Sequence, residues 1–161
     1  MRQRYLFLVI VLLIGCSGEN SAEPTLQPTT PAPTSEPTTA PPSADANVTF
    51  VRVVQTDNET FTFHVTVEHP DTGWEDYADG WDVVLPDGTV VKKNADDPFT
   101  RLLLHPHENE QPFTRSQSGL QIPTDVTSVT VRAHDFVDGF GGKTVVVDLT
   151  ADEGDGFRVE R

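Results

Sequence analysis

The sequence predicts an all-β fold: an antiparallel sandwich of about seven to eight strands over residues 47–161, behind a disordered tether. Three observations carry this expectation. Short runs of β-branched and aromatic residues recur between turn signals from Asn47 onward. Two of those runs alternate apolar and polar residues with period two, and no stripe of helical period is present. Composition changes sharply near residue 47, because seven of the thirteen prolines fall in residues 17–46.

The first strand is expected over Val48–Gln55 and the second over Thr60–His69. In the second, Phe61, Phe63, Val65 and Val67 share one face and Thr62, His64, Thr66 and Glu68 the other. Trp81–Pro86 and Thr89–Lys93 flank Asp87-Gly88, a dipeptide that suits a two-residue hairpin turn. Phe99–His105 and Phe113–Gln121 follow. Thr127–Asp135 points Val129, Val131 and Ala133 inward and Thr130, Arg132 and His134 outward. Phe136–Gly142 reads as a Gly-rich hairpin connection. Lys143–Leu149 is expected to close the sheet with Val145, Val147 and Leu149 inward.

Ahead of the sandwich lie two segments of different character. Arg2 and Arg4 precede an apolar run of ten residues, Tyr5 to Ile14, which ends in Gly15-Cys16. A bilayer span needs about 20 apolar residues, so this run reads as an export signal over residues 1–15. Cys16 is the sole cysteine. No intrachain disulfide can form, and thiolate catalysis or thiolate metal sites are excluded from the domain. Residues 17–46 contain no Lys or Arg and almost nothing large and apolar. Such a stretch cannot offset its ordering entropy and is expected to be a partly polyproline-II tether, reaching ~90 Å when extended.

Leu13-Ile14-Gly15-Cys16 resembles the lipobox of bacterial lipoproteins. The resemblance implies that Cys16 carries lipid, including acyl chains such as palmitate, and becomes the mature N-terminus. Two or more chains anchor stably where one does not. The expected location is the cell envelope with the domain extracytoplasmic. Ser17, where Asp is absent, implies the outer membrane if the cell is Gram-negative.

A second resemblance lies in the domain. Leu120-x-x-Pro123 followed by Val129-x-Val131-x-Ala133 resembles the E–F region of fibronectin type III and other immunoglobulin-like domains. It implies an immunoglobulin-like sandwich with Trp81 as the core tryptophan of the third strand. Thr127 stands where those domains usually place a corner tyrosine. His105-Pro106-His107 and Glu110–Ser116 are also similar to uncharacterised envelope lipoprotein domains, a likeness that implies no activity.

Residues 47–161 hold 21 Asp and Glu against 9 Lys and Arg, a net charge of −12 with histidines neutral. That field disfavours nucleic acid and anionic headgroups. No Gly-x-Ser-x-Gly elbow occurs, and Gly141-Gly142-Lys143-Thr144 lacks the leading glycine of a phosphate-binding loop. An enzyme is not expected.

Loops of such a sandwich alternate between its ends, so residues 69–80, 105–112 and 135–142 are expected at one end. They carry His69, His105, His107, Glu108, Glu110 and Asp135, with His134 nearby. His69, His105, His107 and Glu110 form the candidate metal set, and neutral imidazoles with carboxylates suit zinc or copper. The plainer reading is that His69-Pro70 and His105-Pro106 end strands and bond to loop backbone. Calcium held by Asp71, Glu75, Asp76 and Asp79 lacks calcium-loop spacing. Trp74 and Tyr77, on the same loops, are candidate contacts for an envelope protein or glycan, or else Trp74 caps the core. His64, mid-strand, reads as an ordinary sheet residue.

Overall fold

The computed structural model describes residues 45–161. The export signal, Cys16 and the tether up to residue 44 lie outside the described residues. Among the described residues there are ten strands and no helix. They are β1 (Asn47–Asp57), β2 (Thr60–Glu68), β3 (Ala78–Val84), β4 (Val90–Val91), β5 (Arg101–Leu102), β6 (Phe113–Gln121), β7 (Ser128–Asp135), β8 (Val145–Asp148), β9 (Glu153–Gly154) and β10 (Phe157–Glu160).

Two sheets face each other. One has the order β6-β2-β1-β10-β9; the other runs β4-β3-β7-β8, with β5 also beside β3. β1, β2 and β6 thus fall in one sheet and β3, β7 and β8 in the other. The inner faces meet through the alternating residues. Phe61, Phe63, Val65 and Val67 of β2 and Val129, Val131 and Ala133 of β7 are all buried in one hydrophobic core. Trp81 and Val83 of β3 are fully enclosed among them. Each such side chain contributes about 1.5–3 kcal/mol by leaving water. In β1 the buried positions are Val48, Val51 and Val53. A register irregularity between Val48 and Phe50 changes the phase, which turns Phe50 outward.

The structure departs from the sequence expectation in three places. First, β9 and β10 were not anticipated, and β10 pairs with β1 in parallel, Val51 opposite Phe157 and Val53 opposite Val159. Phe157 and Val159 are buried, so this strand completes the core on that side. Second, the stretch 99–105 pairs only at Arg101 and Leu102. Both β4 and β5 lie along β3 on the side away from β7, so β5 reaches only Gly80 and Trp81 while β4 takes Val83 and Val84. Thr100 seals the junction: its hydroxyl donates to the Val91 carbonyl at 2.6 Å and accepts the Val83 N–H at 2.8 Å. Third, the Asp87-Gly88 turn is wider than two residues. The Leu85 N–H reaches the Thr89 carbonyl at 2.8 Å, and Gly88 takes φ of 88°, a value that favours glycine.

Candidate functional site

The loops after β2, after β5 and after β7 meet at one pole. They are tied there by a buried chain of carboxylates and imidazoles. β2 ends at Glu68 because Pro70 cannot donate a ladder hydrogen bond, and this releases the His69 side chain into the space between the sheets. The His69 side chain is fully buried. Its Nδ1 lies 2.6 Å from Asp71 Oδ1 and its Nε2 lies 2.8 Å from Asp135 Oδ2. The side chains of Asp71 and Asp135 are also fully buried.

Each carboxylate does a second job. Asp71 Oδ1 accepts the Ala78 N–H at 3.1 Å and Oδ2 accepts the His107 N–H at 2.5 Å. Asp135 Oδ1 accepts the N–H groups of Val137 at 2.6 Å and Asp138 at 3.1 Å. Gln111 Oε1 receives the His69 N–H at 3.0 Å. One imidazole and two aspartates thus fix the relative positions of three loops.

The electrostatics follow from this packing. Burial pushes the His69 pKa down, but the hydrogen bond that the ring donates to Asp71 and the nearby charge of Asp135 outweigh it, so the net direction is up. His107 goes the other way. Burial comes first, and the positive Arg115 and the neighbouring His105 add to it; Asp71 and Glu110 oppose these without reversing them. The His107 ring stacks on Phe113 with centroids 3.8 Å apart, which covers one of its faces. Neither His107 nitrogen has a hydrogen-bond partner among the described residues.

The structure distributes the expected metal set over different surroundings. His69 is enclosed between its aspartates. His105 is exposed, with its ring 4.6 Å from that of His107 and its Nδ1 3.1 Å from the Pro106 carbonyl. Glu110 is turned outward to Arg115 at 2.9 Å, and that contact lowers its pKa. Instead, a ring nitrogen of His69 and one carboxylate oxygen from each of Asp76 and Asp135 lie within 4.8 Å of one another. His134 pairs with Asp79 at 2.6 Å and sits against Phe99 and Phe140. His64 accepts or donates a 2.6 Å hydrogen bond with Ser116 in mid-sheet.

The importance of Asp71 and Asp76 was not legible as such. Both fell in the acidic run 71–79, where a buried and an exposed aspartate look alike. The one local hint is Asp71 two residues after His69, a spacing that lets a carboxylate return to the ring.

Trp74 is 67% exposed, so it does not cap the core. Its ring meets Tyr77 edge-on at 6.0 Å, and Tyr77 stacks on Phe136 at 5.6 Å. The Phe136 N–H bonds the Tyr77 carbonyl at 3.0 Å, which holds the two loops together beneath the rings. Phe136 and Val137 also face solvent. The described chain begins at this pole, since a Cβ on Gly142 would overlap the Ala46 carbonyl.

No family model matches the chain, and no solved structure matches it. A curated protein of Halomicrobium mukohataei, named "Putative lipoprotein", is 38% identical over 104 residues. The match covers 65% of this chain and 47% of that protein. The chain therefore spans about half the length of the curated relative to which it is similar.

Proposed function

We propose that this chain is an extracytoplasmic lipoprotein, anchored by lipid on Cys16, whose sandwich is a non-catalytic module that binds an envelope protein or glycan. The name of the Halomicrobium mukohataei relative and the apolar run ending at Gly15-Cys16 support the anchor. One observation carries the binding role: Trp74 stands 67% exposed at the head of a Trp74–Tyr77–Phe136 ring array on hydrogen-bonded loops. An aromatic ring held rigidly in water costs little entropy on contact and gives large buried area. Asp71 and Asp135, the most enclosed acids of the pole, are spent on His69 and backbone N–H groups, which favours a positioning role for them over acid–base catalysis.

The experiment separates anchor from module. Intact mass spectrometry of the mature full chain reads the Cys16 modification directly; an unmodified thiol overturns the anchor. A Cys16→Ser chain is then added back to isolated envelopes. Saturable rebinding that is lost in Trp74→Ala supports the module. Rebinding that is absent, or indifferent to Trp74→Ala, overturns it.

A further inference from the structure

We propose that His69, Asp76 and Asp135 form a site for one divalent ion of the zinc class, with Asp71 as the positioning residue behind the imidazole. This goes beyond the binding role proposed above and stands without it.

The geometry is that of a three-ligand site. His69 Nε2 lies 2.8 Å from Asp135 Oδ2 and 3.8 Å from Asp76 Oδ1. An ion with bonds of about 2.0–2.1 Å in tetrahedral array wants its ligand atoms ~3.3 Å apart. These two separations bracket that value, and the oxygens of Asp76 and Asp135 lie within 4.8 Å of each other, so Asp76 must close in on the other two for all three to share an ion.

A second observation is independent of the spacing. Asp76 Oδ1 is buried and has no hydrogen-bond partner among the described residues, although it faces a buried imidazole. A buried carboxylate oxygen left so is costly unless something positive meets it.

The surroundings are organised as a ligand sphere needs. Asp71 Oδ1, 2.6 Å from His69 Nδ1, accepts the hydrogen bond of that N–H, so Nε2 is the nitrogen that would meet the ion once its own proton is displaced. A carboxylate behind a histidine in this way fixes its tautomer and strengthens it as a ligand. Asp135 is held by two N–H groups on Oδ1, and its Oδ2 faces His69 Nε2 at 2.8 Å, where the ion would take the place of the proton shared between them. The Asp76 side chain is partly exposed, which places the cluster close to solvent. The imidazole argues against calcium or magnesium, which take oxygen ligands. Asp76 also shapes the Trp74 turn, since its N–H bonds the Gly73 carbonyl and its carbonyl accepts the Thr72 N–H. An ion on Asp76 would therefore stiffen the loop that displays Trp74.

The test uses the full chain, stripped with chelator and titrated with zinc chloride by calorimetry, with elemental analysis after dialysis. The expected result is about one zinc per chain at micromolar concentration. Asp76→Asn, at the rim and outside the core, should weaken binding by at least about tenfold while the melting curve is retained. His105→Ala should leave binding unchanged. Zinc should also alter the emission of Trp74, since Trp81 is fully buried and serves as a constant background. The proposal is overturned if no zinc binds, if Asp76→Asn binds as the parent does, or if His105→Ala abolishes binding. His69→Gln is a supplementary variant, because its loss could unfold the pole; Asp76→Asn keeps the test decisive.

Discussion

Removing the carboxylate of Asp135 should cost a large part of the stability of the domain, and the size of the loss can be divided among its contacts. Asp135 makes three side-chain hydrogen bonds: a buried one to His69 Nε2 at 2.8 Å and two part-buried ones from the N–H groups of Val137 and Asp138. Asp135→Ala breaks all three. It leaves an imidazole between the sheets with one carboxylate instead of two. Breaking a buried pair by deleting one partner costs about 3–5 kcal/mol, out of a total stability of about 5–15 kcal/mol for a domain of this size. Asp135→Asn is milder. Its amide oxygen can still accept both N–H groups, and its NH2 can donate to a neutral Nε2 while Nδ1–H donates to Asp71. What is lost is the difference between a charged and a neutral hydrogen bond, about 1–2 kcal/mol. The assay is equilibrium urea unfolding in the presence of chelator, followed by tryptophan emission. The expected order is parent, then Asn, then Ala, with a gap of about 1–4 kcal/mol between the two variants. A loss under about 1 kcal/mol for Asp135→Ala would refute the reasoning, because the cluster would then tie nothing together.

Three other outcomes follow from the geometry. The pKa of His107 is lowered in the folded state, so the unfolded chain binds the proton first as pH falls; the contribution of His107 to stability should fall below the ordinary histidine value of about 6.5, opposite in sign to that of His69, and His107→Gln should remove this loss from the melting temperature between pH 7 and 5. Phe157→Ala should cost about 3 kcal/mol, read by urea unfolding, because that buried ring packs over Gly154 and helps to hold β10 against β1. Gly142→Ala should lower the melting temperature measurably, since its Cβ would overlap the Ala46 carbonyl, a backbone atom that cannot rotate away.

Much of the sandwich was legible because it rests on local patterns. Phe113–Gln121 is found with the expected bounds, and β7 alternates as Val129, Val131 and Ala133 require. β10 was not legible, because only Phe157 and Val159 mark it over four residues, too few to show a period. Its pairing is with residues about a hundred positions away, and no local signal announces a parallel neighbour. The shortened β5 has the same kind of cause: its length is limited by what β4 already occupies on β3. At the pole, the nearness of His69 to Asp135 follows from loop alternation. The split between enclosed His69 and outward-turned Glu110 does not, because it depends on which acid finds Arg115 and which finds an imidazole.

The pairing of β1 with β10 also sets how the domain should respond to a mechanical load. The two strands run the same way, from Val51 beside Phe157 to Val54 beside Glu160. A pull applied ahead of β1 and beyond β10 acts along the strands in opposite senses. The rungs between them are then strained together and must rupture together, instead of opening one at a time as in a zipper. Such a domain should withstand tugging on its leading segment far better than its modest size suggests.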